Sequence, residues 1–186
     1  MTTDRFLNEQ TPFEGLKVIT RNPIGDSRGF LERVFCATDL TGWCGNTISQ
    51  INRTRTSTAG TLRGLHFQRP PVAEVKYVTC LSGSVYDVAL DLRTGSDSFG
   101  QHFGIKLSAG AHNALIIPEG FAHGFQTLTD HVEMLYIHSE PFTPEFEGGI
   151  NATDPNLEIN WPLPVMIQSD RDSKLPKLQE LEGIFR

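Results

Sequence analysis

The chain has 186 residues, of which 38% are hydrophobic and 20% charged, an ordinary globular composition that is long enough for one sizeable core. Its formal charge of −6 argues against nucleic-acid binding, because a protein that grips phosphate backbones needs a basic face. No apolar run approaches the roughly 20 residues of a membrane span, no secretory signal is visible, and three cysteines without a CxxC pair predict reduced thiols in the cytoplasm.

A period of two, in which the side chains point alternately to opposite faces, dominates the sequence from about residue 15 to 140. It is clearest over 84–92, where Val88 and Leu90 share one face and Asp87 lies on the other. No helix-length amphipathic run interrupts this pattern, so it predicts an all-β sandwich or barrel of the jelly-roll type. In chain order, the predicted strands span 15–20, 29–35, 46–52, 62–67, 75–81, 84–92, 102–107, 113–117, 122–128 and 131–138.

The character of the chain changes after Pro141. Proline, asparagine, aspartate and tryptophan crowd residues 141–164, and a short helix is predicted around 177–184, with Leu178 and Leu181 on one face. We interpret this tail as a packed irregular arm rather than as a second domain. The expected organisation is therefore a single jelly-roll domain over 1–186, with its core at about 15–140 and its arm at 141–186.

His66 stands among apolar residues and glycine in Thr61-Leu-Arg-Gly-Leu-His-Phe-Gln68. In strict alternation it shares a face with Leu62 and Gly64, which points it into the barrel. Because imidazole exchanges a proton near neutral pH, this placement fits either a satisfied core histidine or a general base. Arg63 would point the other way in a regular strand, but a bulge at Gly64 would turn both side chains inward.

Two further polar residues fall on apolar strand faces. Lys76, on the face of Val78, fits either an edge lysine that snorkels to water or an inward lysine that meets an anion or a carbonyl oxygen. Tyr136, on the face of Met134, fits either a half-buried aromatic residue or a neutral proton donor inside an apolar pocket. His66 and a second histidine among apolar and glycine residues, His123, together with Lys76 suggest proton chemistry on a small molecule.

Pro118-Glu-Gly-Phe-Ala-His123 has the form PxGxxH, in which a turn feeds a strand whose histidine enters a barrel mouth. Metal-binding cupins share this form, but they also need an HxH motif on an earlier strand, and here Gln68 stands in place of the second histidine. Two histidines are fewer than the three or four ligands of a typical transition metal, so we expect no metal. The remaining histidines lie at strand ends or turns and are expected at the surface: His102, His112, His131 and His138.

Taken together, these motifs resemble the dTDP-4-dehydrorhamnose 3,5-epimerase family over roughly residues 15–178. The resemblance implies a cupin-type jelly roll without metal or other cofactor, working as a homodimer whose N-terminal strands cross to the partner subunit. It further implies inversion of the carbons beside the 4-keto group of a nucleotide-diphosphate-linked 6-deoxyhexose. The matching blocks are Arg63-Gly-Leu-His-Phe-Gln68, Lys76, Asp87-Val-Ala-Leu-Asp-Leu-Arg93, Ser98-Phe-Gly100, Leu107-Ser-Ala109, Ile117-Pro-Glu-Gly-Phe-Ala-His-Gly-Phe125, Leu135-Tyr136, Asp154-Pro155 and Asn160-Trp-Pro162.

Carried over by position, the resemblance implies a catalytic set. His66 is the general base, and its partner is an aspartate in the C-terminal arm, Asp172, with Asp170 as the alternative. Lys76 faces the keto oxygen, where negative charge develops once a neighbouring proton is removed. Tyr136 is the general acid on the opposite face of the sugar. Two groups on opposite faces allow inversion, whereas one group alone allows only exchange.

The resemblance also implies substrate-binding residues. Arg63 faces the keto oxygen and the nearby phosphate, and His123 is a pocket residue. Because the N-terminal strands cross in the family, Arg28 is expected to serve the partner's site. The positions that match nucleotide contacts are Arg28, Gln50 and Asn52.

The chain departs from the family where two pocket residues are expected. Pro141 and Phe142 stand where many members carry a tyrosine pair, and Phe142 is included among the substrate-binding residues. Arg33 stands where a glutamate is common, and a guanidinium can only donate hydrogen bonds. These changes leave open the nucleotide and whether C3, C5 or both are inverted. The alternatives are a C3-only or C5-only epimerase of another nucleotide sugar, a metal-dependent cupin dioxygenase or isomerase, and a non-catalytic sugar-binding jelly roll.

Overall fold

Short antiparallel strands make up the centre of the protein, and a computed structural model describes residues 4–43, 46–181 and 185. A short helix, α1 (Asp170–Ser173), lies in the C-terminal arm. Single 3₁₀ turns lie at Ala109–Ala111, Pro144–Phe146, Pro155–Leu157 and Leu178–Glu180. The strands are β1 (Phe6–Gln10), β2 (Lys17–Arg21), β3 (Ile24–Asp26), β4 (Gly29–Leu31), β5 (Gln50–Thr56), β6 (Leu62–Gln68), β7 (Lys76–Ser82), β8 (Ser84–Asp91), β9 (His102–Ser108), β10 (Asn113–Ile117), β11 (Phe121–Thr127), β12 (Val132–His138) and β13 (Glu147–Gly149).

Within the described residues, six strands pair in the order β1-β2-β10-β7-β12-β5 and five in the order β13-β6-β11-β8-β9, while β3 and β4 form a separate ribbon. The two larger sheets face each other across buried apolar side chains, with Val78 and Met134 on one side and Val85 and Phe125 on the other. Burying each such side chain contributes roughly 1.5–3 kcal/mol. This arrangement confirms the predicted cupin-type jelly roll.

The outer faces of both sheets are covered as well. On the five-stranded sheet, Val88 packs with Leu157 of the C-terminal arm. On the six-stranded sheet, Tyr77 packs with Trp43, which is fully buried. The C-terminal arm covers the outer face of the five-stranded sheet. This packing places α1 beside the middle of β6.

Most predicted strands match the structure, and the errors lie at the sheet edges. The strand predicted over 46–52 lies at Gln50–Thr56, and the one predicted over 29–35 ends at Leu31. β5 is an edge strand with mostly exposed polar residues, so it lacks the alternation of a half-buried strand. The sequence pattern did not predict β1, β3 or β13 either. These are edge or ribbon strands, which also lack the alternation of a half-buried strand.

The helix predicted around 177–184 lies partly outside the described residues, which exclude 182–184. Its described part forms the 3₁₀ turn, and Leu178 and Leu181 pack against the core of the arm. No helix in the described part of the chain is long and apolar enough to cross a membrane. Cys80 is buried and Cys36 is partly buried, both as free thiols, while Cys44 lies outside the described residues.

Candidate active site

A β-bulge in β6 turns two polar side chains of this strand to the same side. His123 of β11 pairs with His66, but Phe125, two residues later, pairs with Arg63, three residues earlier. Gly64, inside the bulge, has a φ of +108°, and a Cβ there would lie 2.6 Å from a backbone carbon of β11. Only glycine tolerates both conditions. The bulge predicted from the sequence is therefore confirmed, and Arg63 and His66 line one cavity.

The cavity lies between the two sheets and has a volume of about 470 Å³, within the range of small-molecule sites. Gln50 does not line it, but its Oε1 accepts a hydrogen bond from the backbone N–H of Phe142 at the rim (3.0 Å). Arg28 does not line it either; it lies in the turn of the exposed β3–β4 ribbon, where it pairs with Asp26. The predicted residues that the cavity brings together are His66, Lys76, Tyr136, Asp172, Arg63, His123, Asn52 and Phe142.

His66 is held by a carboxylate from α1. Its Nε2 lies 2.8 Å from Oδ1 of Asp172, whose Oδ2 accepts the backbone N–H of Gly64 at 3.0 Å. Burial raises the pKa of Asp172, but the hydrogen bonds from His66 and Gly64 outweigh it and lower the pKa below its usual value. An ionised carboxylate can only accept, so Nε2 carries the proton and Nδ1 is left as the basic nitrogen. Asp170 is exposed, so Asp172 is the aspartate beside His66.

His123 forms a second histidine–carboxylate pair, deeper in the barrel. Its Nε2 lies 2.9 Å from both carboxylate oxygens of Asp87, which is fully buried. Burial raises the pKa of Asp87, against the opposing effects of His123 and Lys76. The sequence placed Asp87 on the strand face opposite Val88 and assigned it no role. In this position the pair forms the floor of the cavity rather than an open proton-transfer group.

Tyr136 reaches the cavity from β12, in the sheet opposite to that of His66. Its ring meets the ring of His123 edge to face, with centroids 6.1 Å apart, and its hydroxyl lies 3.5 Å from Oγ1 of Thr54. Burial raises the pKa of Tyr136 far above its usual value. The phenol therefore stays protonated at neutral pH and can act only as a proton donor or hydrogen-bonding group.

Lys76 points into the cavity, which is the inward one of the two alternatives that the sequence left open. Its Nζ donates to the backbone oxygen of His66 (3.2 Å) and lies 3.3 Å from Oε1 of Glu74. The other carboxylate oxygen of Glu74 lies 2.7 Å from Nδ1 of His138. Burial raises the pKa of Glu74, but Lys76 and His138 outweigh this effect and lower it. The ammonium is thus paired inside the site, which resolves the alternative of a snorkelling edge lysine.

Sequence reasoning missed several residues that line the cavity. The prediction that His138 lies at the surface is wrong: only 13% of its side chain is exposed, and it stands two residues after Tyr136 on the same strand face. That spacing was the sequence signal that could have identified His138 as a cavity residue. Glu74, in the segment before β7, gave no such signal. Of the other three histidines expected at the surface, His131 is exposed, and His102 and His112 are partly exposed.

Two guanidinium groups give the cavity wall positive charge. Arg63 donates its Nε to Oγ1 of Thr56 (3.2 Å), which leaves its Nη atoms for a ligand oxygen. Arg171, which was not predicted, pairs with Glu147 at 2.7 Å at the opening. Both groups suit a phosphate or a carbonyl oxygen. Among the described residues, no group of three or more His, Cys, Asp or Glu side chains is arranged to hold a metal ion.

The comparisons with known proteins agree with this geometry. The model of the dTDP-4-dehydrorhamnose 3,5-epimerase family matches residues 10–180. The enzyme of that name from Escherichia coli (strain K12) is 39% identical over 175 residues, which cover 92% of this chain and 94% of the relative.

Solved structures give the same result. The dTDP-6-deoxy-D-glucose-3,5-epimerase of Legionella pneumophila, in complex with dTDP-4-keto-L-rhamnose, superposes with a TM-score of 0.89 at 36% identity and covers 95% of each chain. A 3'-monoepimerase from Streptomyces bikiniensis, in complex with dTDP-quinovose, has a TM-score of 0.82 at 30% identity and covers 92% of this chain and 87% of its own. On the breadth of the family match and the identity to its members, this chain belongs to the dTDP-4-dehydrorhamnose 3,5-epimerase family.

Proposed function

We propose that this protein is an isomerase that inverts C3 and C5 of dTDP-4-dehydro-6-deoxyglucose, in the formation of L-rhamnose or a related deoxysugar. The observation that carries the proposal is the placement of His66 and Tyr136 on facing sheets of one cavity. A sugar ring between them would meet a base on one face and an acid on the other. The relatives with this name and the dTDP-sugar in the Legionella pneumophila structure support the substrate class.

In this proposal Nδ1 of His66 removes the proton from the carbon beside the 4-keto group. The imidazolium that forms is stabilised by Asp172, which remains ionised and holds Nε2–H. A positioned base supplies about 10²–10⁴ in rate, so it needs help from groups that stabilise the enolate.

Lys76 and Arg63 supply that help at the oxygen, where the negative charge develops. An ammonium has three donors, and two of those of Lys76 are engaged by His66 O and by Glu74, which leaves one for the enolate oxygen. Donors that are aimed in advance at such an oxygen contribute about 3–4 kcal/mol each in well-studied enzymes. Tyr136 then protonates the carbon from the other face and recovers its proton from solvent.

Proton NMR in deuterated water tests this function. Incubation of the protein with dTDP-4-dehydro-6-deoxyglucose should place deuterium at C3 and at C5 and yield the inverted product. Absence of exchange at both carbons would overturn the proposal. Exchange at C3 alone would instead make the chain a 3'-monoepimerase, the activity named for the Streptomyces bikiniensis relative. Cytidine- and guanosine-diphosphate sugars, run in parallel, test whether Phe142 at the rim changes the preferred nucleotide.

We also propose a cytoplasmic homodimer, each subunit being a single domain, in which the N-terminal region of one subunit reaches the cavity of the other. The β3–β4 ribbon supports this arrangement, because it exposes apolar Ile24, Phe30 and Leu31 together with Arg28. The edge strand β5 also exposes an apolar side chain, Ile51. Free Cys36 and Cys80 fit a reducing compartment.

Subunit complementation tests the exchange. If Arg28 serves the partner's cavity, co-expressed Arg28→Ala and His66→Ala chains form a mixed dimer with one intact site. Random pairing with one site in each mixed dimer would restore about a quarter of the wild-type activity. No activity above that of the separate variants would show that Arg28 does not act across the dimer.

A further inference from the structure

One buried group in the cavity has no part in the proton transfers described above. His138 lies two residues after Tyr136 on β12 and directly opposite Lys76 on β7, so the strands present all three side chains to the same cavity. The rings of Tyr136 and His138 stack, with an interplanar angle of 20° and centroids 6.2 Å apart. His138 therefore contacts the proposed acid directly.

Glu74 extends the contacts of His138 to Lys76. Its two carboxylate oxygens are divided between them, Oε2 to Nδ1 of His138 at 2.7 Å and Oε1 to Nζ of Lys76 at 3.3 Å. The side chain of Glu74 is only 8% exposed. A carboxylate this deeply buried is tolerated only when its oxygens are paired. The three side chains thus form one continuous buried chain.

The sharing of the Glu74 carboxylate between His138 and Lys76 affects the position and the charge of the Lys76 ammonium. If His138 did not occupy Oε2, both oxygens of Glu74 could turn onto the Lys76 ammonium. Such a two-oxygen pair would draw Nζ away from the substrate oxygen and offset more of its charge. By holding one oxygen, His138 keeps the third donor of Lys76 free for the enolate.

We propose that His138 is a positioning residue for epimerisation, with Glu74 as its partner. Through Glu74 it aims Lys76 at the enolate oxygen, and through its ring it holds Tyr136 at the opposite face of the sugar. The proposal rests on the proposed function, and it concerns two contacts that different substitutions can separate.

Two variants of His138 separate these contacts. His138→Phe keeps a ring against Tyr136 but removes the donor to Glu74, so solvent exchange and inversion should both fall about tenfold because both pass through the enolate. His138→Asn keeps an amide near the position of Nδ1 but has no ring, so inversion should fall about tenfold while exchange falls less than about twofold. His102→Phe, on edge strand β9 outside the cavity, is the matched control and should match the wild type.

A double variant tests the path through Glu74. If His138 acts on Lys76 only through this carboxylate, Glu74→Gln combined with His138→Phe should exchange no more slowly than the slower single variant. If the rate losses of the two single variants multiply in the double variant, the proposed path is overturned.

The ratio of inversion to exchange tests whether the ring of His138 holds Tyr136 in place. Equal proportional losses in the Phe and Asn variants, accompanied by lower melting temperatures, would show a merely structural role and overturn the proposal. Wild-type rates and ratio in both variants would overturn it as well. Failure of the proposed function is distinguishable from these outcomes, because the wild-type protein itself would then show neither exchange nor inversion.

Discussion

Replacing Asp172 by asparagine is the most informative single change in the proposed base. The backbone N–H of Gly64 donates to Oδ2 at 3.0 Å, so the amide oxygen of the variant would take this position to keep the donor satisfied. The amide NH₂ would then face Nε2 of His66, which must become an acceptor. The proton of His66 would move to Nδ1, and the nitrogen proposed to act as base would be lost.

The size of the effect follows from two separable terms. Two unit charges about 4 Å apart attract by about 4 kcal/mol at an effective dielectric constant of about 20. Because the His66 side chain is 31% exposed, we halve this to about 2 kcal/mol, which corresponds to a loss of about thirtyfold when the carboxylate alone is removed. Asp172→Ala should show this smaller loss. Asp172→Asn adds the wrong tautomer, which costs about 10⁴ in total in a serine protease triad, so we expect a loss of at least about 10³.

The assay is the initial rate of deuterium incorporation at C3 and C5, measured by NMR, with circular dichroism and thermal unfolding as checks of the fold. Asp170→Asn is the matched control, because Asp170 lies exposed in the same helix and should retain the wild-type rate. An asparagine variant as active as the wild type, or less impaired than Asp172→Ala, would refute the tautomer argument. Equal losses for Asp170→Asn and Asp172→Asn would refute the pairing as the cause.

Three further predictions follow from the site and its surroundings. His66→Ala should lower both exchange and inversion by about 10²–10⁴ while thermal unfolding shows an intact fold; near wild-type turnover would exclude His66 as the base. Tyr136→Phe should lower inversion more than exchange in the same NMR assay, because His66 can still return a proton on its own face; equal losses would contradict this division. Burial raises the pKa of Asp91, but hydrogen bonds from Arg93 and Ser98 outweigh burial and lower the pKa to about 2. The ionised Asp91 therefore stabilises the fold above the unfolded pKa of about 3.9, and this stabilisation is lost as the pH falls toward 2. Asp91→Asn should therefore lower the free energy of unfolding in urea more at pH 7 than at pH 3, and an equal deficit at both would count against this linkage.

The fold could be predicted where a strand has two chemically distinct faces. On β8, Asp87 and Val85 face the other sheet while Val88 faces the C-terminal arm, so the period of two is visible in the sequence. The edge strands β1, β5 and β13 lack this signal, because most of their residues are exposed or only partly buried on either face, whereas the edge strand β9 was predicted. This is why β5 was predicted four residues too early and why β1 and β13 gave no sign at all.

The site could be predicted where a residue type conflicts with its surroundings. His66 and Lys76 stand out among apolar neighbours, and Gly64 permitted the bulge that turns Arg63 inward. Glu74 gave no such signal, because it lies before β7, outside any predicted strand, so no strand face could be assigned to it. His138 was misassigned because it ends its strand next to a serine, which is typical of surface residues.

Three histidine–carboxylate pairs surround the cavity, and the differences between them explain why we propose only His66 as the base. The side chain of His123 is 6% exposed, that of His138 is 13% exposed and that of His66 is 31% exposed. A base that turns over must release its proton to solvent after each transfer, which a residue at the floor of the barrel does slowly. His66 also has Nδ1 unengaged, whereas Nδ1 of His138 is committed to Glu74. The fold thus uses the same pair of residue types three times, and greater access to solvent favours the outermost pair, His66 and Asp172, for the proposed chemistry.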